Sequence, residues 1–452
     1  MYRQILIHLE DRNLQQILWR YSCQDEVSDY RLNTVTYGLA CAPFLAMRTF
    51  CQLADDKAES FPLGSRVLRG KVYMDDILTG ASTLEEACEL QRQLTGLCMA
   101  GGFPLRKWSA NDPGILKSVP AEHLMQRALR DWRSHETHGT MGLRWHPATD
   151  EFSFFVPATT LKDVIKRSVL FFTARLFDPL GWLASVIVRA KIFFQSTWLR
   201  GLGWDEQLEE AAERQWHVYA QKLPLLESLR VPRWLEVGPP DDYVELHGFA
   251  DASERAYAAV LYIRTGDNGF WHARLVAAKT KVAPVKPVTL PRLELCAAAL
   301  LARLTLHACS TLGLFRTIIH LWSDSITLGW IRGHPNRWKT FVANRVSEIQ
   351  TMVPDARWHH VSSQDNPADC ASRRLSPEKL LTHLLWWRGP SWFQAEPSSW
   401  PGEDPASVYD DWPEKRTAIN ATRTVPVPVE EPDELRRCSS LNRLLRLTAW
   451  CR

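Results

Sequence analysis

Residues 244–279 read VELHGFADASERAYAAVLYIRTGDNGFWHARLVAAK, and this stretch decides the fold. Three apolar runs, 244–249, 258–263 and 271–279, have strand character, with turn-forming residues between them. Downstream, 290–307 has helical periodicity. Pro291 suits a first turn, and Leu293, Ala297, Leu300, Leu301 and Leu304 form one apolar face. A strand is expected at 317–322, a helix at 337–352 and a last strand at 357–361. Three hairpin strands followed by alternating helices and strands predict an α/β (α+β) class: a mixed sheet flanked by helices.

Working outward, 158–240 is helical in pattern, with a turn at Pro179-Leu180-Gly181 and an end in Gly238-Pro239-Pro240. Residues 1–157 mix short strands and helices. Within them 83–99 reads as a helix, capped by Thr83 and ended by Gly101-Gly102. Residues 396–435 are acidic and proline-rich, as a linker would be. The expected divisions are therefore 1–157, 158–240, 241–376 and 377–452.

Bulk properties exclude little. A net charge of +3 neither requires nor forbids a polyanionic partner, but its distribution is uneven. Basic runs at 160–200 and 271–292, with Arg175, Lys191, Lys279, Lys281, Arg337 and Lys339, are candidate phosphate contacts. The ten cysteines lack CxxC pairs and zinc spacing, which suits a reducing compartment. No signal peptide is expected, because residues 1–7 run straight into His8, Glu10, Asp11 and Arg12. The apolar stretch at 170–194 is interrupted by Arg175, Asp178, Arg189 and Lys191, so no membrane span is expected.

Two sets of acids carry the chemistry. Asp251 and Asp324 end strand-like runs; Glu294 and Asp369 open helix-like runs. Acids at element ends can converge, and four carboxylates in the order Asp, Glu, Asp, Asp suit a phosphodiesterase holding two magnesium ions about 4 Å apart. The second set is Asp75-Asp76, flanked by apolar tripeptides in VYMDDIL (72–78), so the acids belong at a hairpin tip. Paired acids there suit magnesium held against a nucleoside triphosphate, although Asp-Asp is also an ordinary turn dipeptide.

The phrases YRLNTVTYGLACAPF (30–44), GGFPLRKW (101–108), ARLFDPLGW (174–182), WWRGPSW (386–392) and the closing 440–450 occur in one order. That series resembles the Pol polyprotein of BEL/Pao long-terminal-repeat retrotransposons, across nearly the whole chain. The resemblance implies a truncated reverse transcriptase (1–157), a helical thumb or connection (158–240), a ribonuclease H-like domain (241–376) and a Trp/Pro-rich linker toward an integrase (377–452). It makes Asp251, Glu294, Asp324 and Asp369 the ribonuclease H acids and Asp75 and Asp76 the paired palm acids. It places Gly38 near the nucleotide and template site, and Lys107 near the incoming triphosphate. The implied cofactor is Mg2+. The implied partners are an RNA–DNA hybrid or a template-primer, with other Pol segments and no membrane. The implied location is a cytoplasmic retroelement particle or the nucleus.

Two departures qualify that expectation. The family's first palm aspartate precedes a phrase like Met1-Tyr2-Arg3-Gln4-Ile5, so no template-directed synthesis is expected from this chain alone. Many ribonucleases H also carry a histidine shortly before the last acid, whereas this loop reads VSSQDN (361–366). A non-catalytic nucleic-acid-binding relic is the rival reading. A peptidase lacks its Asp-Thr-Gly, Asp-Ser-Gly, HExxH or GxSxG motif here, and an integrase lacks its zinc module and acid order.

Overall fold

The strand expected at 244–249 runs longer, from Tyr243 to Ala252, and is buried on both faces from Glu245 onward. Burial of both faces requires a covering layer on each side. The computed structural model describes residues 1–74, 76–125, 143–157, 163–237, 243–267, 270–401 and 414–416. Residues 1–410 form one unit and 411–452 a second; every element below belongs to the first.

The chain opens with a hairpin of β1 (Gln16–Trp19) and β2 (Ser28–Arg31), then α1 (Ala42–Asp56) and α2 (Pro62–Gly70). A short hairpin, β3 (Val72–Tyr73) with β4 (Asp76–Ile77), leads to α3 (Leu84–Ala100). Thr83 caps α3 as expected, its hydroxyl accepting from Glu86 N at 3.2 Å. Phe50, Leu68, Leu94, Leu97 and Phe103 form the core of this part.

Next come β5 (Arg144–His146), β6 (Glu151–Ser153), α4 (Lys166–Arg175), α5 (Ala184–Leu199), α6 (Glu210–Lys222) and β7 (Val231–Pro232), which pairs with β6. The central sheet consists of β8 (Tyr243–Ala252), β9 (Ala256–Asp267), β10 (Phe270–Val282), β11 (Ile318–Ser323) and β12 (Arg357–His360). Its order is β10-β9-β8-β11-β12. The first three strands are antiparallel and the last three parallel, giving the mixed sheet that the hairpin and crossover pattern predicted.

Between β10 and β11 lies α7 (Leu290–Leu312). It outruns its expected end at 307 because Gly313, at φ 71°, supplies the left-handed cap. Among the described residues α7 is the one helix long and apolar enough to cross a membrane. Here it is a core helix, packed on Leu246, Leu261, Ile263 and Val276. Gly248 makes the close approach possible, since a Cβ there would come within 2.6 Å of Leu301 and 2.8 Å of Leu321. Beyond β11 follow α8 (Thr327–Arg332), α9 (Thr340–Met352), α10 (Pro367–Arg373), α11 (Pro377–Thr382) and α12 (Leu384–Arg388).

The opposite sheet face carries Phe249, Val260, Tyr262 and Trp322, in one core with Val169, Phe172, Val186 and Trp216 of α4 to α6. The segment expected to be a separate helical region thus shares its core with the sheet. The joint is the PLGW turn. Ala278 N donates to Leu180 O at 2.8 Å and Trp182 Nε1 to Val276 O at 3.2 Å, which caps the free edge of β10. Residues 377–400, expected to begin a linker, pack into this same core through Leu380, Trp386 and Phe393. Tyr262 OH donates to Trp386 O at 2.7 Å, and Arg264 donates to the carbonyls of Phe393 and Ala395 at 2.8 and 2.6 Å.

Candidate active site

Three of the expected acids meet at one end of the sheet. Asp251 is the penultimate residue of β8, Asp324 directly follows β11, and Glu294 sits in the second turn of α7. One carboxylate oxygen from each lies within 4.8 Å of the others. Asp251 and Glu294 are buried, at 1% and 8% exposure, while Asp324 is half-buried. Asp369, on α10, stands beside this trio: its charge acts on Asp251, and that of Asp324 acts on it.

The crowding has a clear electrostatic signature. Burial, then the Asp324 and Asp369 charges, push Asp251 up to about 7 against a hydrogen bond from Ser372. Burial, then Asp251 and Asp324, push Glu294 up to about 9. Asp369 is also raised, by burial and by Asp324, with Arg373 opposing. Glu294 Oε2 and Asp369 Oδ1 are buried without a hydrogen-bond donor. Arg373 Nε lies 2.6 Å from that Asp369 oxygen as an ion pair, without hydrogen-bond alignment. Hard oxygen ligands, mutual repulsion and orphaned buried oxygens together fit divalent cations of the magnesium kind.

Four partners that the sequence did not single out hold these acids. Ser372 Oγ donates to Asp251 Oδ2, and Ser363 Oγ to Asp324 Oδ2. Buried Asn366 donates to Ala250 O at 3.1 Å and reaches Asp324 Oδ1 at 3.4 Å, while its own oxygen caps α10 through Ala368 N. The fourth is Arg373. Asn366-Pro367 is a readable helix start, cap plus Pro at the first turn, and was the available signal. Ser363 and Asn366 thus belong to the loop 361–366 that precedes Asp369 and holds no histidine. His359 turns elsewhere, its Nε2 3.0 Å from His320 Nδ1.

The remaining candidates are dispersed. Asp76 pairs with Tyr73 across the β3–β4 hairpin and belongs to neither potential metal-ligand cluster among the described residues. Asp75 lies outside the described residues. Arg175, Lys191, Lys279, Lys281, Arg337 and Lys339 are all exposed, on α4, α5, β10 and the connection into α9. Lys191 and Lys279 are neighbours: packing lowers the Lys191 ammonium, Asp178 opposes that, and Lys279 adds repulsion.

A second polar cluster, Glu245, His247 and His320, also has metal-ligand spacing. Its atoms are already engaged. Glu245 accepts from Arg264 Nη1 at 2.6 Å and from Tyr243 OH at 2.8 Å, and His247 Nε2 lies 3.1 Å away. Trp322 Nε1 donates to His247 Nδ1 at 3.2 Å, leaving the ring proton on Nε2 to face Glu245. Although burial raises it, these hydrogen bonds hold Glu245 at about 2. Burial lowers His320 to about 3 and His359 to about 4. This is a satisfied structural network, not a vacant ligand set.

Residues 165–325 match the Pao retrotransposon-like RNaseH-like domain, a span that includes Asp251, Glu294 and Asp324 and is consistent with a BEL/Pao Pol fragment. No curated protein matches. Among solved structures, the chain is similar to a foamy viral protease-reverse transcriptase in complex with an RNA/DNA hybrid. That match has 12% identity and a TM-score of 0.48, and covers 80% of this chain and 43% of that one. A second foamy viral protease-reverse transcriptase structure, with double-stranded DNA, matches at 12% identity and a TM-score of 0.45, covering 79% and 54%. Ribonuclease H1 of Halobacterium salinarum matches at 16% identity and a TM-score of 0.20, covering 28% of this chain and 90% of that one. The chain thus spans about half the length of the foamy viral proteins it matches.

Proposed function

We propose that this chain is a retroelement Pol fragment that hydrolyses the RNA strand of RNA–DNA hybrids with magnesium. One observation carries the reading: oxygens of Asp251, Glu294 and Asp324 lie within 4.8 Å of one another, at the sheet end of a fold whose residues 165–325 match an RNaseH-like domain. Bound there, magnesium would supply a Lewis acid and a nucleophilic water. The protein's own part is to hold the ligands. Ser372 and Ser363 orient Asp251 and Asp324, and Asn366 ties Asp324 to β8 and to the start of α10. Because burial leaves Asp251 and Glu294 with high proton affinity, cation binding must displace protons, so metal affinity should rise with pH.

The test uses the purified chain, a hybrid labelled on its RNA strand and added magnesium. Cleavage should occur and should fall by orders of magnitude in Asp251→Asn, with hybrid binding retained. Undiminished cleavage in Asp251→Asn would defeat the assignment. Binding of hybrid with no cleavage in the unmodified chain would instead favour the non-catalytic relic. The polymerase reading of Asp75 and Asp76 rests on the resemblance; no primer extension is expected from this chain alone, and robust extension abolished by Asp75→Asn would overturn that expectation.

A further inference from the structure

Three arginines outside the carboxylate site stand together beside it. Arg189 is on α5, Arg255 lies in the β8–β9 turn, and Arg374 directly follows α10. Two hydrogen bonds tie together the segments that carry them. Ser253 Oγ donates to Ser372 O at 2.9 Å, and Leu375 N donates to Ser185 O at 3.1 Å. Arg255 is two residues from the first bond, Arg374 lies between the two, and Arg189 is one helical turn beyond Ser185. The charges are close enough to interact: desolvation lowers Arg374, and Arg255 and Arg189 lower it further.

Like charges do not gather without a reason. Among the described residues, none of the three forms an ion pair with a carboxylate. The Arg189 guanidinium lies 5.7 Å from the Tyr219 ring, and Arg374 Nε reaches only the carbonyl of Arg373, at 3.4 Å. Arg373, one residue earlier, is by contrast matched with Asp369. Arg374 also holds φ at 77°, a backbone conformation that side-chain-bearing residues seldom adopt. A strained residue whose cation meets two further cations suits an anion as its partner.

We propose that Arg189, Arg255 and Arg374 form a phosphate subsite that grips the nucleic-acid backbone one or more nucleotides away from the cleaved bond. This rests on the hydrolase reading above for its substrate. Guanidinium forks match the two free oxygens of a phosphodiester, and such contacts fix register without reading sequence. The neighbouring residues supply the registration. Ser372 hydrogen-bonds Asp251 with its hydroxyl and Ser253 with its carbonyl, so acid cluster and arginine cluster share one frame.

The experiment measures binding of labelled hybrid to the full chain in metal-free buffer over a range of salt, for the unmodified protein, Arg255→Gln and Arg374→Gly. Each variant should bind more weakly and lose about one unit of the logarithmic salt slope, as expected for one lost phosphate contact. Glycine relieves the positive φ, so Arg374→Gly should melt no lower than the unmodified chain while binding worse, which separates contact from fold. Unchanged affinity and slope in both variants overturns the proposal. So does stabilisation of the unmodified chain by inorganic phosphate, absent in Arg374→Gly, with hybrid affinity unaffected in either variant, which would mark a site for a free anion. Weaker hybrid binding in both variants, with no magnesium-dependent cleavage in the unmodified chain, keeps the subsite and removes the hydrolase. Normal cleavage with no arginine effect does the reverse.

Discussion

At the residue scale the candidate site crowds buried carboxylates whose mutual repulsion a bound cation would offset. Asp251 and Glu294 are buried among like charges, and without metal they resist ionisation. Asp251→Asn, which should lower cleavage by orders of magnitude, should therefore stabilise the metal-free protein. The melting temperature should rise by several degrees in chelator, on the order of 2–4 °C per kcal/mol recovered. Magnesium should raise the melting temperature of the unmodified chain and leave that of the variant nearly unmoved. An equal magnesium response in both proteins would remove Asp251 from the ligand set. Asp251, Glu294 and Asp324, which the fold brings together, were legible as candidates in the sequence, as was Asp369 beside them, because each closes or opens an apolar element. Ser372, Ser363 and Arg373 were not, because nothing in their local sequence says that they return to β8 or β11. Only folding brings residue 372 onto residue 251.

At the element scale the PLGW turn and the tryptophan-rich segment after α10 are parts of the sheet's cover. Gly181 has φ 75°, and a Cβ there would lie 1.7 Å from Ala278 O, a backbone atom that cannot step aside. Gly181→Ala should thus cost at least about 2–3 kcal/mol, from strain plus displacement of the turn from β10. Urea unfolding measures it, and a loss below about 0.5 kcal/mol, the range of a neutral surface change, would show that the turn does not dock. Trp386 is fully buried and donates to Trp182 O at 2.9 Å. Trp386→Ala should cost about 3–5 kcal/mol, where a linker residue would cost nothing. The sequence disclosed the turn through its Pro and Gly, and the sheet through strand periodicity. It did not disclose which edge the turn would cap. Nor did proline-rich composition after residue 376 distinguish a packed strap from a linker, because Trp386 and Phe393 look alike in either until their partners are known.

At the scale of the whole molecule, β8 joins two regions whose stabilities respond to pH in opposite directions. At its far end, Asp251 and Glu294 have folded pKa values of about 7 and about 9, above the ordinary 3.8 and 4.5. Groups raised on folding stabilise below their unfolded pKa, and that stability is lost as pH rises through the folded value. At its near end, His320 and His359 have folded values of about 3 and about 4, below the ordinary 6.5. These histidines are neutral in both states above 6.5. As pH falls below that, the unfolded chain takes up protons that the native chain refuses, so stability is lost by up to about 1.4 kcal/mol per pH unit for each group. In the metal-free chain the two trends offset below about pH 6.5, and only the acid trend remains above it. The unmodified protein should accordingly lose stability from about pH 6.5 to about pH 9 in chelator. The double variant Asp251→Asn, Glu294→Gln should be nearly flat over that range and should instead lose stability on acidification from about pH 6.5 to about pH 5, where its histidine network is no longer offset by these two acids and only partly by Asp178, which burial raises to about 6. Denaturant midpoints for both proteins at several pH values test this directly. A double variant as stable at about pH 5 as at about pH 7 would mean that the Glu245–His247–His320–His359 network takes up protons without opening. The buried neutral histidines would then not be what joins the near half of β8 to Trp322.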